Sequence, residues 1–311
     1  MSANGNQGNV LTEERDKMEN DKKSELIQKR IDEAFAIEAQ DAKEAGTTGY
    51  MARAFVQATI PHRRVEGIEF KRTNGNFTLI IVANSDVGLP FGSVPRLELA
   101  WITTEAVRTK TREINLGNSM SAFMRQLGLN TTGGKRGDIR RLKKQTESLF
   151  ASHISCTYNN NVKGQWGIKN VVIASNAVLW WDPISPDQLS TFNSVVKLNQ
   201  DFFDEIITRP VIVDMRVLKF LKQSPLALDA YTWFTYRMSY LKEKSKPIPW
   251  EFLQLQFGSG YSNNPHGTRN FKAHFLRELK KIKLVYKDLK LDLEPDGLIL
   301  YPSPTHILKS E

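Results

Sequence analysis

Two clusters of lysine and arginine are the residues of this chain with the clearest chemistry, which is the binding of a polyanion. The first cluster is the glycine-broken run from Thr132 to Lys144, and it opens a predicted amphipathic helix that continues through Phe150. At about 100° per residue, an apolar face and a cationic face lie opposite each other. The apolar face comprises Ile139, Leu142, Thr146, Leu149 and Phe150, and the cationic face comprises Arg140, Arg141, Lys144 and Ser148.

A second segment, from Arg269 to Lys283, repeats this arrangement further along the chain. Its apolar face comprises Phe271, Phe275, Leu279 and Ile282, and its opposite face comprises Asn270, Ala273, Arg277, Lys280 and Lys281. A basic run on a helix is most often a solvated face, but basic patches also raise the local affinity for phosphate backbones. The presence of two such helices makes nucleic acid the leading partner.

The remaining polar residues do not form a catalytic or metal-binding pattern. The segment Gly133-Gly134-Lys135 differs from a nucleotide-binding loop, because Leu129 stands where glycine is needed and Arg136 where serine or threonine is needed. The histidines are scattered along the sequence at His62, His153, His266, His274 and His306. We therefore predict a protein that is not an enzyme, with no catalytic residues, no cofactor and no bound metal.

Length and charge set further limits. The chain has 311 residues and a formal net charge of +9, which suggests two domains and an anionic partner. Residues 11–45 are net acidic, so the rest of the chain is more basic than the total implies. The single cysteine, Cys156, excludes an internal disulfide and is predicted to be buried in a strand. Since no segment resembles a signal peptide or a membrane span, a cytoplasmic location is expected.

The first basic helix is embedded in a recognisable order of elements. A hairpin is predicted around Asn74-Gly75, then a helix with Pro95 in its first turn, and then a short strand at 113–116. A short helix closed by Gly128 precedes the basic helix, and two strands at 152–158 and 165–173 follow it. This is the order of elements in a winged helix, in which the second helix of the helix-turn-helix enters the DNA major groove. Lys163, in the loop of the hairpin, is then placed to touch a flanking backbone or groove.

The same order recurs after a predicted linker from Pro183 to Asn193. Asp214 is predicted to cap a helix, and a long core helix follows over 228–241. A short strand, a helix, the second basic helix and a hairpin with strands at 284–293 and 298–301 complete the chain. We also expect Trp101, Trp180, Trp181, Trp233 and Trp250 to be core residues, because each lies in an apolar stretch.

We therefore predict an α+β protein that is predominantly helical and consists of two tandem winged-helix domains with a flexible or helical acidic N-terminal arm. The predicted division is an arm over 1–49, a first domain over 50–184 and a second over 185–311. Arginine is favoured for reading bases and lysine for phosphates. The predicted DNA-binding residues are Lys135, Arg136, Arg140, Arg141, Lys144, Lys163, Arg269, Asn270, Arg277, Lys280 and Lys281.

Several blocks of the sequence resemble the RepA-type plasmid replication initiators. They are the stretch from Pro95 to Arg108, the stretch from Leu116 to Met124 with Leu127-Gly128 after it, the stretch from Gly134 to Ile139, and the stretch from Ser224 to Tyr231. The resemblance covers roughly residues 50–303, and the blocks occur in the family's order.

The resemblance implies a protein that binds direct repeats in double-stranded DNA at a plasmid origin. It further implies opening of an adjacent AT-rich segment and recruitment of the host initiator and replicative helicase. By analogy, the resemblance also implies a switch between a homodimer that represses its own gene and a monomer that initiates replication. Such a switch would take part in plasmid copy control. The alternative is a sequence-specific transcriptional regulator without a role in replication. A nickase or primase is a further alternative, and it would require Mg²⁺-dependent cleavage or primer synthesis.

Overall fold

A computed structural model of the chain describes residues 19, 22, 24–37, 42–57, 59–74, 77–131, 137–160, 165–258 and 260–307. Helices and antiparallel sheets are mixed throughout these residues, as the predicted α+β class requires. The helices are α1 (24–37), α2 (Arg53–Gln57), α3 (Ser93–Thr109), α4 (Met120–Gln126), α5 (Asp138–Phe150), α6 (Gln200–Thr208), α7 (Met215–Leu221), α8 (Pro225–Met238), α9 (Trp250–Phe257) and α10 (Pro265–Val285).

The strands pair in antiparallel ladders that form sheets of two, three and four strands. They are β1 (Thr48–Met51), β2 (Glu69–Asn74), β3 (Phe77–Val82), β4 (Glu113–Gly117), β5 (His153–Asn160), β6 (Gln165–Val172), β7 (Ala174–Val178), β8 (Ser194–Leu198), β9 (Val211–Asp214), β10 (Ile248–Pro249), β11 (Leu291–Glu294) and β12 (Gly297–Leu300). The pairing orders are β2-β3-β5-β6, β4-β8-β7, β10-β12-β11 and β1-β9.

The predicted order helix, strand, helix, helix, strand, strand is present in both halves of the chain. In the first half it runs α3, β4, α4, α5, β5, β6, and in the second half α8, β10, α9, α10, β11, β12. The short strand of the second half pairs with its own hairpin, whereas β4 pairs with β8 and the β5–β6 hairpin extends the β2–β3 hairpin. The first half is therefore built into a larger sheet system than the second.

Local sequence signals account for the ends of the helices that matter most. The Ser119 and Ser224 side chains accept hydrogen bonds from backbone N–H groups at the starts of α4 and α8. Asp214 does the same at α7, as its position in the sequence predicts. Gly128 follows α4 with a φ of +70°, a left-handed conformation that glycine adopts without a steric penalty. The turn toward the first basic helix therefore begins where the sequence indicates.

Two sheets join parts of the chain that are far apart in sequence. Strand β1 pairs with β9, so that Thr48 lies opposite Asp214. Strand β8 is the central strand between β4 and β7, although it follows residues 183–193, which we predicted to be a linker. Backbone bonds from Ser121 to Pro186 and from Ser190 to Asn118 dock that segment on the start of α4. The division of the chain at 184 and 185 remains a prediction.

A buried ion pair links α3 to α8. The Arg96 guanidinium donates to both carboxylate oxygens of Asp229 at 2.6 and 2.7 Å, and the His62 ring lies 2.6 Å from the same carboxylate. Arg96 also donates to the carbonyls of Ile60 and Gly92, each at 2.6 Å. Burial lowers the pKa of His62 to about 4, so its ring is neutral at pH 7. Burial alone raises the pKa of Asp229, but Arg96 and His62 bring it below its usual range.

The helix at 24–37 packs against the second half of the chain. Ala34 and Ile37 are buried, and the Arg30 guanidinium donates to the carbonyl of Phe220 at 2.5 Å and covers its ring at 4.7 Å. The Lys287 ammonium lies 5.1 Å from the centre of the Phe35 ring. Part of the acidic N-terminal segment is thus held against α7 and the residues that follow α10.

Some expectations from the sequence are wrong. We predicted a strand over 284–293, but α10 continues to Val285 because Ile282 and Val285 extend the buried face of that helix. The strand begins only at Leu291. Trp180 is 49% exposed and contacts Phe192, whereas its neighbour Trp181 is 8% exposed. The expected burial of Cys156 is confirmed. Strands β1, β7 and β9 were not predicted.

Replacing Asp229 with asparagine removes the charge that neutralises Arg96 in the core. We expect Asp229→Asn to lower the free energy of unfolding by about 3 kcal/mol or more, since breaking a buried pair leaves an uncompensated charge. Urea denaturation followed by far-UV circular dichroism measures the change. The control Asp187→Asn, at a side chain that is 79% exposed, is expected to stay within about 0.5 kcal/mol of the parent. Equal effects of the two substitutions would contradict a structural role for the pair.

Candidate nucleic-acid interface

Helix α5 has the two faces that the sequence predicts, with one correction. Ile139, Leu142 and Leu149 are buried against the core. Arg140, Arg141, Lys143 and Lys144 are exposed. Ser148, which we placed on the cationic face, is buried and donates to the carbonyl of Val87 at 3.1 Å. The cationic face therefore covers the first two turns of α5.

The exposed cations of α5 differ in their contacts. Arg141 forms an ion pair with Asp138 in the first turn, and Asp138 also accepts from the backbone N–H of Asn130 at 3.1 Å. The Lys143 ammonium lies 4.0 Å from Glu147. Within the described parts of the chain, Arg140 and Lys144 have no ion pair. These two side chains are thus the most available for a new anionic partner.

Buried polar contacts fix α5 against the rest of the first half. The hydroxyl of Thr146 contacts the carboxyl group of Glu98, a fully buried residue of α3, and also donates to the carbonyl of Leu142 at 2.9 Å. Burial raises the pKa of Glu98 to about 8, which keeps the carboxyl group protonated at neutral pH. Gln145 adds a contact by accepting from the N–H of Phe91 at 2.6 Å.

The turn before α5 is held from the second half of the chain. The Lys222 ammonium, at the end of α7, donates to the carbonyl of Gly128. The side chain of Lys219 lies so close that a Cβ added at Gly128 would be 2.9 Å from its Cγ atom. The predicted site residues Lys135 and Arg136, in this turn, and Lys163, in the β5–β6 loop, lie outside the described residues.

Helix α10 packs its apolar face into an aromatic cluster. Phe271 and Phe275 are buried, and the Phe275 ring lies about 6 Å from the rings of Trp250 and Phe257. The opposite face presents the predicted site residues, of which Arg269, Asn270, Arg277 and Lys280 are exposed and Lys281 is half-buried. Asn270 hydrogen-bonds His266 at 3.1 Å, one helical turn earlier.

A buried carboxylate that the sequence analysis missed lies beneath this face. Glu278 is 3% exposed, and its oxygens lie 2.7 Å from Lys281, 3.3 Å from Arg277 and 3.4 Å from His274. Burial on its own raises the pKa of Glu278, but hydrogen bonds from Lys281 and other donors bring it below its ordinary value. The spacing of 274, 278 and 281 was the available signal, since residues three and four apart meet on a helix.

The described residues hold no group of three or more histidine, cysteine, aspartate and glutamate side chains that would bind a metal ion. No helix among them is long and apolar enough to cross a membrane. On both halves, exposed guanidinium and ammonium groups lie on helices whose other face is packed in the core.

Comparison with known proteins identifies the family. The model of the plasmid-encoded RepA protein family matches residues 89–251, which is more than half of the chain and includes α5. The chain belongs to the RepA family. This is a family of plasmid replication initiators, and the family therefore places the chain in the initiation of plasmid DNA replication. Curated protein sequences include no significant match to it.

One solved structure has a fold similar to that of this RepA family member. The crystal structure of RctB domains 2-3 superposes with a TM-score of 0.52 at 12% sequence identity, covering 80% of this chain and 95% of that chain. The selenomethionine form of RctB domains 2 and 3 gives a TM-score of 0.49 at 13% identity, covering 80% and 96%. At this identity the likeness concerns the fold.

The raised pKa of Glu98 makes the attachment of α5 dependent on pH. A carboxyl group with a folded pKa of about 8 contributes stability that is full below its unfolded pKa and is lost as pH rises through about 8. We expect Glu98→Gln, which stays neutral, to gain stability relative to the parent between pH 5 and 8, by up to about 1.4 kcal/mol per pH unit. Urea denaturation at several pH values measures this difference. The control Glu251→Gln, on the exposed face of α9, should show no such pH-dependent difference in stability. A stability difference for Glu98→Gln that does not vary with pH would contradict the raised pKa of Glu98.

Proposed function

We propose that this RepA family member initiates plasmid replication by binding directly repeated double-stranded DNA at the origin. The observation that carries the proposal is the pair of exposed cationic faces on α5 and α10. Each helix has the same place in its own helix, strand, helix, helix, strand, strand series. A chain with one basic helix would lack the second cationic surface needed to bind two adjacent grooves.

In this proposal the two series act as winged-helix domains, and α5 and α10 enter the major groove on successive turns of one repeat. Lysines and part of the arginines contact phosphates and set the register, while the remaining arginines and Asn270 read base edges. The described cations in these roles are Arg140, Arg141, Lys144, Arg269, Arg277, Lys280 and Lys281. Lys135, Arg136 and Lys163 are assigned the same roles from the sequence.

Origin opening would follow from several copies bound to tandem repeats, because the strain they impose on the neighbouring duplex is relieved where stacking is weakest. The proposed partners after opening are the host initiator and the replicative helicase, and a homodimer is the proposed repressing form. Under this proposal the chain acts in the cytoplasm, where it binds and deforms the origin DNA. It catalyses no step itself.

Footprinting of the purified protein on the DNA that flanks its own gene tests the proposal. We expect evenly spaced protected segments of equal length, one for each direct repeat. Protection of a single operator at a promoter would instead identify a transcriptional regulator. The absence of protection at moderate salt would contradict sequence-specific duplex binding altogether.

Lys144→Ala is expected to weaken binding to every DNA sequence and to make the affinity less dependent on salt. Loss of one phosphate contact reduces the slope of log K against log salt by about 0.9. Fluorescence anisotropy with a repeat duplex and a scrambled duplex provides both affinities. Lys242→Ala, an exposed lysine after α8, is the matched control. A Lys144→Ala protein that loses only repeat binding, with its affinity for the scrambled duplex intact, would refute the phosphate role.

A further inference from the structure

A cleft of about 400 Å³ lies where the first half of the chain meets α8 and α10. Its walls come from separate stretches of sequence, which are the segment containing His62 and Arg63, the start of α8 at Ser224, and the exposed flank of α10. His274, Arg277 and Lys281 line the cleft from α10. Two residues of the predicted DNA-binding face, Arg277 and Lys281, are therefore also part of this cleft.

The charges that line the cleft are mostly positive. Arg63, Arg277 and Lys281 are cations, and Glu278 is the carboxylate among the lining residues. Glu278 is already bonded to Lys281 and Arg277, so it offers little negative potential to a ligand. Three cations against one carboxylate leave a surplus that favours an anion.

The histidines of the cleft do not change this balance at neutral pH. Burial lowers the pKa of His62 to about 4, and its ring is bonded to Asp229. Partial burial, together with Arg277 and other cations, also lowers the pKa of His274. Its ring contacts the hydroxyl of Tyr261 on one side and Glu278 on the other. The anion is thus attracted by permanent cations.

We propose that this cleft binds one backbone phosphate of the duplex that α10 contacts, with Arg63 as the direct ligand supplied by the first half of the chain. The inference rests on the proposed function, and it adds a residue that lies outside both basic helices. Arg63, Arg277 and Lys281 line the same cleft, so a strand that contacts Arg277 and Lys281 would bring a neighbouring phosphate toward Arg63. The guanidinium fork suits such a contact.

The position of Arg63 is set by the core rather than by a mobile loop. Its neighbour His62 is anchored to Asp229 on α8, and the preceding carbonyls of Ile60 and Pro61 accept hydrogen bonds from Arg96. The backbone of Arg63 is therefore fixed relative to α8, on which α10 packs. A contact made from a fixed backbone costs less conformational entropy on binding than one made from a flexible segment.

The inference also gives the first half of the chain a direct contact with the DNA segment that α10 binds. A phosphate held between Arg63 and Lys281 touches both halves at once. Binding at α10 then places the duplex in a defined position relative to the first half, which carries α5.

Arg63→Ala tests the inference, with Arg64→Ala as the matched control, because both side chains are exposed and Arg64 does not line the cleft. Affinities are measured by fluorescence anisotropy on a footprinted repeat duplex and a scrambled duplex, from 0.1 to 0.5 M salt. We expect Arg63→Ala to bind both duplexes about eight-fold more weakly at 0.1 M salt, with a salt slope reduced by about 0.9. Arg64→Ala should match the parent, and Arg63→Lys should recover most of the salt slope.

Phosphate ethylation interference on the repeat duplex gives a second readout. The parent should be sensitive to ethylation at a phosphate where Arg63→Ala is not, while the other sensitive positions are shared. Unchanged affinity and salt slope for Arg63→Ala, or equal losses for Arg63→Ala and Arg64→Ala, overturn the inference and leave the proposed function intact. A parent protein that binds neither duplex contradicts the proposed function and this inference together.

Discussion

The buried pair of Arg96 and Asp229 is the interaction on which the relation between the two halves depends. It joins α3, which supports the first basic helix, to α8, which supports the second. Burying two charges is costly, and the cost is offset here by bidentate geometry and by carbonyl acceptors for the remaining guanidinium hydrogens. Any sliding of α3 against α8 would break these bonds without access to water. The pair therefore favours one arrangement of the halves over others that bury a similar apolar area.

Other contacts act in the same direction. Strand β1 pairs with β9, Lys222 bonds the carbonyl of Gly128, and Arg72 bonds the carbonyl of Gln256. Each joins residues that are more than ninety positions apart in sequence. The helices that carry the exposed cations are thus parts of one connected core. If the chain binds two grooves of one duplex, as we propose, such rigidity would fix the spacing of the contacts before binding and reduce the entropy lost on association.

Local patterns predicted the elements well where one face is apolar and the other is polar. The faces of α5 and α10, the Gly128 turn and the Asp214 cap follow from side-chain periodicity and from the conformations that glycine and aspartate favour. The errors fall where local preference was overruled. Val285 is β-branched and favours a strand, but it continues α10 because the buried face of that helix extends to that point. Trp180 and Trp181 are identical in type, yet the backbone exposes one and buries the other.

The sequence by itself determined the family, the repeated order of elements and the two cationic faces, because all three are expressed in residue types and spacings along short stretches. Only the tertiary structure decided how these parts meet. The pairing of Arg96 with Asp229, the burial of Glu98 behind α5 and of Glu278 beneath α10, and the cleft beside Arg63 each combine residues that are close in space through the packing of the chain. Burial sets the charge state of Glu98 and the partners of Glu278, and burial is a property of the whole fold.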